Sequence, residues 1–464
     1  MLRERYAAEE PSHEVSMRDA FGVWGYVALN SFGGPAGQIA VMHRVLVDGR
    51  HWIDERRFLH ALNYCMLLPG PEAHQLAVYI GWLFHGLRGG LMAGLLFVLP
   101  GFLSILALSM LYAGFQETTL VAALFYGIKP AVIAVVAAAV VRIGSRALPN
   151  RSVAAIATTA FVSLFFFDVP FPLVVLTAGL VGFLGSHLSP GTFTPGDVHA
   201  SAAVAEGGSP ARHMLGHEAD QQPRPTLRRA VGVLSVGLLL WLGPVMVLLA
   251  VLGASDIFVQ QGLFFSGAAV VTFGGAYAVL AYIAQQAVET FGWLSPTEML
   301  DGLGMAETTP GPLIMVVQFV GFLAAFRSPG ELDPMLAGVL GAVLVTWVTF
   351  VPSFLWIFLG APYIEYLRGR KALSGALSAI TAAVVGVILN LGVWFSLHTL
   401  FATVGQTRIG PLRLYAPDPS TLDVAALALA GLALIAIFVL RWSILRTLAL
   451  SAVAGASYYL VIII

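Results

Sequence analysis

The chain has 464 residues, 58% of them hydrophobic and 11% charged, with a formal net charge of −1 and a mean hydropathy of +0.84. A soluble globular domain carries about 25% charged residues, so this composition excludes one and leaves a polytopic membrane protein, and nothing in the charge balance favours nucleic acid. The single cysteine, Cys65, excludes an internal disulfide and a Cys-based metal cluster.

In chain order, residues 1–17 are polar and lack the apolar core and small-residue cleavage site of a signal peptide. Apolar segments follow at 18–41, 73–87, 89–113, 120–141, 149–167, 170–187, 229–252, 259–287, 309–326, 334–360, 372–400, 422–440 and 442–463. Runs near 20 residues span about 30 Å as helices, and the absence of strict alternation argues against a β-barrel. The segment 73–87 is short, so it reads either as a span or as a re-entrant half-helix packed inside protein, and 309–326 carries the same ambiguity. Residues 189–228 are rich in Gly, Pro, Ser, Ala and His and read as a flexible linker. Its His199, His213 and His217 read as solvated loop residues in preference to a metal site.

Two stretches repeat. Phe32-Gly33-Gly34, Trp52 and Pro69-Gly70-Pro71 recur 241 residues later as Phe273-Gly274-Gly275, Trp293 and Pro310-Gly311-Pro312. The 40 aligned columns hold 11 identities without a gap, including Ala40/Ala281, Val47/Val288, Leu59/Leu300 and Leu62/Leu303. Duplicated apolar segments broken by Gly and Pro point to a secondary transporter with its site at the repeat interface. The expected organisation is a first repeat at 18–188, the linker, a connecting helix at 229–252 and a second repeat at 253–464. Seven crossings between equivalent points, an odd number, would invert one half relative to the other. That count becomes even if one Pro-Gly-Pro segment is re-entrant, and six if both are.

Lys and Arg, counted for a cytoplasmic N-terminus, give 16 inside and 7 outside, with Lys129 inside the membrane. The misfit is the 42–72 loop, whose Arg44, Arg50, Arg56 and Arg57 fall outside. Its mate, 288–308, carries Glu289, Glu298, Asp301 and Glu307 instead.

Candidate residues cluster at the repeated motifs. Pro71 and Pro312 suit a first helical turn, and Gly70 and Gly311 permit backbone angles closed to other residues. The helices that follow would present free N–H groups and a positive dipole end, a pair of features that favours an anion; the plain alternative is a helix break at a loop edge. Gly33 and Gly34 sit inside an apolar span and read first as packing or a kink, with Pro35 and Gln38 following in the first half only. Gln38 and Gln75 can donate amide hydrogen bonds to an oxyanion, and Thr309 offers a hydroxyl. Glu72 is either a first-turn capping acid or an intramembrane proton carrier, and Glu307 occupies a related but not equivalent place beside its own Pro310. Lys129 either snorkels to the interface or faces the pathway; Arg142 marks the far end of the same helix. Cys65 reads as a small buried apolar residue. No phosphate-binding loop and no catalytic triad or metalloprotease pattern is present, so enzyme chemistry has little support, and neither cofactor nor metal is expected.

Phe32-Gly33-Gly34-Pro35, Leu68-Pro69-Gly70-Pro71, Ala77-Val78-Tyr79-Ile80-Gly81, Gly127-Ile128-Lys129-Pro130-Ala131-Val132 and Thr309-Pro310-Gly311-Pro312 together resemble the chromate ion transporter (CHR) superfamily in its long-chain, two-domain form, over nearly the whole chain. The resemblance implies an all-α bacterial inner-membrane protein of two inverted repeats. It implies export of chromate driven by the proton-motive force, giving chromate resistance. The second half departs from the pattern after Pro312, where Leu313, Ile314 and Met315 stand in place of Glu72, Ala73 and His74. Sulfate shares the charge and tetrahedral shape of chromate and is the alternative substrate; a non-transporting membrane protein is the alternative class. Expected partners are the oxyanion, protons and the lipid bilayer, with a homodimer as an open alternative to a monomer.

Overall fold

The computed structural model describes residues 15–115, 118–188, 226–273, 276–363 and 371–463. Most of the polar N-terminal segment, nearly all of the linker with its three histidines, and Gly274 and Gly275 lie outside the described residues. The described chain is helical apart from one β-hairpin. Among the described residues, seven helices are long and apolar enough to cross a membrane.

The first repeat comprises α1 (Met17–Leu29), α2 (Gly34–His43), α3 (Glu55–Cys65), α4 (Glu72–Phe115), α5 (Thr119–Ala147), α6 (Arg151–Phe167) and α7 (Phe171–Leu188). A connecting helix, α8 (Leu227–Leu252), follows. The second repeat runs through α9 (Ile257–Val271), α10 (Ala276–Gln285), α11 (Pro296–Thr308), a short 3-10 turn Leu313–Met315, α12 (Val316–Arg327), α13 (Pro334–Gly360), α14 (Lys371–Leu400), a hairpin of β1 (Val404–Ile409) and β2 (Leu412–Pro417), α15 (Val424–Phe438) and α16 (Ile444–Tyr458). The order of elements is therefore duplicated. A π-helical turn even follows the second helix of each repeat, at Arg44–Gly49 and Gln286–Thr290.

The segments 18–41 and 259–287 are not single spans. Gly33 and Gly34 have φ of +79° and +71°, and two successive left-handed residues cannot continue a right-handed helix. The Phe-Gly-Gly motif of the first repeat thus ends one helix and starts another. Nor is 42–72 simply a loop, because Asp54 caps α3 by accepting from the Arg57 backbone N–H. Likewise Ser295 and Glu298 form a capping box that starts α11 within the segment expected to be a loop.

Contacts show which ends lie together. The Trp52 and Phe84 rings meet at 5.6 Å. A His85 ring nitrogen lies 2.7 Å from the Val15 carbonyl oxygen, just ahead of α1. The start of α1, the π-turn, the start of α3 and the turn after residue 84 therefore share one face, the near face. Between residues 72–84 and 87–115, α4 folds back at His85 and Gly86, where φ/ψ is non-helical. The limb 72–84 is about 20 Å long at 1.5 Å per residue, too short to cross. Both α1–α2 and α3 with this limb are accordingly re-entrant hairpins whose tips lie inside. In the second repeat Arg327, ending α12, donates to the Trp293 carbonyl and to the Glu298 carboxylate at 3.0 Å each, so α11 and α12 also enter and leave by one face. That is the far face, where Tyr126 donates to Asp423 at 2.8 Å and Arg408 pairs with Asp168 at 2.9 Å.

The crossings between equivalent points are the long limb of α4, then α5, α6, α7 and α8. Five is odd, so the repeats are inverted, but through re-entrant hairpins and not through the seven spans the hydropathy suggests. Arg44, Arg50, Arg56 and Arg57 then share the near face with Arg18, not the opposite one. Beyond α4 the repeats align at a larger displacement: Pro100-Gly101-Phe102 matches Pro352-Ser353-Phe354, 252 residues on. The hairpin has no counterpart in the first repeat. Its Arg413 is 3% exposed and bridges Asp168 at 3.0 Å and Glu289 at 3.1 Å. Trp394 Nε1 and the Tyr415 hydroxyl donate to the same Glu289. Burial, then the Glu289 carboxylate, pushes the Tyr415 phenol above its ordinary value.

Cys65 is fully buried, so single cysteines placed elsewhere can be read by impermeant labelling. Arg50→Cys and Arg88→Cys are expected to label from one side of the membrane and Glu331→Cys and Arg408→Cys from the other. Labelling of Arg50→Cys together with Arg408→Cys would mean that α1–α2 crosses.

Candidate functional site

The tips of the four re-entrant hairpins meet in the middle of the molecule, and each repeat holds the other's. The Gly70 backbone N–H donates to the Thr272 carbonyl at 2.8 Å, and the Gly311 N–H donates to the Ser31 carbonyl at 2.9 Å. Thr272 is the repeat mate of Ser31, as Gly311 is of Gly70, so the two bonds are related by the inverted pseudo-symmetry. The hydroxyls match as well: Ser31 Oγ donates to Val27 and Thr272 Oγ1 to Ala268, the corresponding carbonyls.

Glycine is required at both Pro-Gly-Pro turns. Gly70 has φ +129° and Gly311 has φ +105°, and a side chain in this region of φ is strained. There is also no room for one. A Cβ on Gly311 would lie 2.9 Å from Gly101 Cα and 3.1 Å from Gly101 N. A Cβ on Gly70 would lie 2.7 Å from Gln75 Nε2 and 2.8 Å from Ser353 Oγ. Because Ser353 is the mate of Gly101, each turn also packs against the Pro-containing helix of the opposite repeat.

The tips bring helix N-termini inward: α2 from Gly34, α4 from Glu72, and α10 and α12 from the second repeat. Each brings the positive end of a helix dipole, and α12 is entered through the 3-10 turn, whose Leu313 carbonyl accepts from the Val316 N–H. Around them lie buried polar side chains. Gln38 Nε2 donates to the Gly311 carbonyl, and Gln75 Nε2 donates to the Pro69 carbonyl at 2.7 Å. Tyr277 donates to Glu307 at 2.7 Å, and its hydroxyl lies 3.5 Å from where a Cβ of Gly34 would be. The second Glu307 oxygen has no hydrogen-bond partner, and Arg142 acts electrostatically on this pair. His74 is fully buried among Phe97, Phe350 and Phe354, with the Gly94 backbone as its polar neighbour.

Of the residues singled out by sequence, Gly34, Gln38, Gly70, Gln75, Glu307 and Gly311 converge here. Gly33, Pro35, Pro69, Pro71, Pro310 and Pro312 form the breaks themselves. Thr309 caps α11 and is 8% exposed. Glu72 opens α4 half-buried. Lys129 is engaged elsewhere: its ammonium pairs with Asp301 at 3.4 Å, and Tyr112 donates to the other Asp301 oxygen at 2.8 Å. Sequence reasoning missed Tyr277, Asp301, Ser353 and the reciprocal Ser31 and Thr272. Carrying the repeat alignment past the 11-residue change in displacement, from 241 to 252, would have found Ser353 opposite Gly101.

Residues 18–183 and 259–456 match the family described as Chromate transporter. The chain belongs to the chromate transporter family. It is 32% identical to a chromate transport protein of Pseudomonas aeruginosa, over 78% of this chain and 76% of that one. It is 28% identical to a chromate transport protein of Cupriavidus metallidurans, over 77% of each. A probable chromate transport protein of Synechococcus elongatus is 28% identical over 86% of this chain and 91% of its own length. No solved structure matches.

Asp301→Asn or Lys129→Met alone leaves a buried charge unpaired and is expected to cost about 2–4 kcal/mol, somewhat less than for a fully buried pair because Lys129 is partly exposed. The double variant should recover most of the lost melting temperature in detergent; a double variant as unstable as the worse single would remove the pairing. Gly311→Ala is expected to destabilise more than Gly70→Ala, because the first meets backbone and the second meets side chains that can shift. Equal melting temperatures for the two would contradict the packing described.

Proposed function

We propose that this protein is a secondary carrier that exports chromate, a tetrahedral oxyanion, across the bacterial plasma membrane, with the dianion held where the four hairpin tips meet. The reading rests on one observation above all: helix N-termini from both inverted repeats converge at a glycine-lined break far from either face. Convergent dipole ends and free N–H groups favour an anion at that depth. The relatives, chromate transport proteins of two bacteria and a probable one of a third, support chromate as the substrate.

Orientation is part of the proposal. Among the described residues, 14 Lys and Arg lie toward the near face: Arg18, Arg44, Arg50, Arg56, Arg57, Arg88, Arg142, Arg146, Arg151, Arg228, Arg229, Lys371, Arg441 and Arg446. Arg327, Arg408 and Arg413 lie toward the far face, and Lys129 lies between the two. The positive-inside rule makes the near face, and with it the N-terminus, cytoplasmic. With the interior negative, each elementary negative charge carried outward gains about 2.3 kcal/mol per 100 mV, so the membrane potential alone drives dianion efflux. Glu72 and Glu307 are the proton-coupling candidates. An ionised carboxylate at these helix ends and a bound dianion disfavour one another, which links anion affinity to protonation.

The test is chromate uptake into inside-out vesicles, with and without an uncoupler and with excess sulfate. Uncoupler-sensitive accumulation above empty vesicles is the expected result, and sulfate inhibition measures selectivity. Glu72→Gln or Glu307→Gln at the coupling position should keep the response to membrane potential and lose the response to an imposed pH gradient. With protein confirmed in the membrane, no accumulation would refute chromate export.

A further inference from the structure

Ser353 lies in α13, directly after Pro352, on the helix that faces the first Pro-Gly-Pro turn. Hydroxyls buried inside helices ordinarily donate to a carbonyl one turn back. The two threonines preceding it in α13 do so, Thr346 to Ala342 at 2.8 Å and Thr349 to Val345 at 2.7 Å. Ser353 does not. Its side chain is 0% exposed and its Oγ has no hydrogen-bond partner. A buried polar group left unpaired is destabilising, so a bare orphan is a poor choice for a residue whose repeat mate is glycine.

The hydroxyl is aimed at the N-terminal end of α4. Ser353 Oγ and Gln75 Nε2 lie 2.8 Å and 2.7 Å from one point, the vacant Cβ position of Gly70. Gln75 is also 0% exposed, and its Oε1 is a second unpartnered buried atom. The first backbone hydrogen bond of α4 is from Gln75 N–H to the Pro71 carbonyl, at 3.0 Å, so the N–H groups of residues 72–74 precede it. A hydroxyl, a carboxamide and a free helix end are thus gathered from both repeats around one glycine. The equivalent place in the other half has Gly101 against Gly311 and no hydroxyl.

We propose that Ser353 is a substrate-binding residue: its hydroxyl donates to an oxygen of the tetrahedral oxyanion held at the N-terminus of α4, with Gln75 as the second side-chain donor. This deepens the function proposed above and rests on it. It makes the site asymmetric, with the anion on the Gly70 side of the pseudo-symmetry axis, and it makes the second repeat supply a ligand to the first repeat's helix end.

The experiment uses the full-length protein reconstituted in proteoliposomes, with radiolabelled chromate and, separately, sulfate as probes. The variants are Ser353→Ala, Ser353→Gly, which copies the residue at the equivalent place in the first repeat, and Ser353→Thr. Ser353→Ala and Ser353→Gly are expected to raise the KM for chromate at least tenfold. Ser353→Ala should leave the ligand-free melting temperature unchanged or higher, because it removes an unpaired polar atom. Ser353→Thr, which keeps the hydroxyl, should recover part of the affinity. A protective shift of the melting temperature by chromate, present in wild type and lost in Ser353→Ala, gives a readout independent of flux. If wild type transports chromate and Ser353→Ala has the same KM and the same protective shift, the Ser353 assignment is overturned while the carrier reading stands. If Ser353→Ala lowers the ligand-free melting temperature and leaves KM alone, the hydroxyl is structural and the assignment again fails. If wild type neither carries chromate or sulfate nor is protected by either, the carrier reading fails and takes this inference with it.

Discussion

Backbone polar groups inside a membrane must find partners within the protein, since lipid offers none. This chain interrupts its helices deep inside, at residues 30–33 and 66–71 in one repeat and around 272 and 309–312 in the other. Each interruption exposes N–H and carbonyl groups that would cost several kcal/mol apiece in hydrocarbon. The exchange of bonds between Gly70 and Thr272 and between Gly311 and Ser31 answers this need directly. Each repeat satisfies part of its breaks itself, but the Gly70 and Gly311 N–H groups and the Ser31 and Thr272 carbonyls are paired only across the repeats, so the centre is a joint product of the two.

The symmetry of the clamp throws the asymmetries into relief. In the repeat alignment Gln38 is matched by Val279, Tyr277 by Ala36, Glu307 by Met66, Gln75 by Val316 and Ser353 by Gly101. The duplicated positions are those that shape backbone: glycines, prolines and the small hydroxyl residues at the breaks. The unmatched positions are those that carry charge or hydrogen bonds into the centre. A scaffold that needs both halves can keep its geometry while only one member of each pair carries polar chemistry.

The duplicated motifs were legible because turn chemistry is local. Pro-Gly-Pro and Gly-Gly restrict backbone angles wherever they stand, so their spacing named the breaks before any fold was known. Helix existence was equally legible from hydropathy. Hydropathy could not separate a span from a re-entrant hairpin, because Met17–Leu29 and Gly34–His43 are as apolar as a crossing helix and only Gly33 and Gly34 divide them. The misplaced arginines of 42–57 were the sign of that error, and reading the pair as a hairpin removes the misfit. Lys129 was legible as a buried cation needing a partner, but Asp301 lies 172 residues away on a helix of the other repeat, a pairing that no local pattern encodes. Ser353 was invisible for the opposite reason: one serine in an apolar helix carries no signal until the glycine it faces is known.

The fold also constrains how access to the centre can change. The helix α14 packs along α5, α6 and α7, and α15 and α16 pack along α5, so the uninterrupted helices of both repeats form one intermixed layer. The hairpin fastens that layer at the far face, with Arg413 donating to the Phe165 and Leu164 carbonyls while paired to Asp168 and Glu289. Of the broken helices, α1, α2 and α3 pack against α4, and α9 and α12 against α13, whereas α10 packs against α14 and α11 against α5. A rearrangement that kept the Gly70–Thr272 and Gly311–Ser31 bonds must therefore move the tips of both repeats together. Moving one repeat alone would break two buried backbone hydrogen bonds with no water at hand to replace them. The bonds that make the breaks tolerable thus also tie the tips of the two repeats to one another.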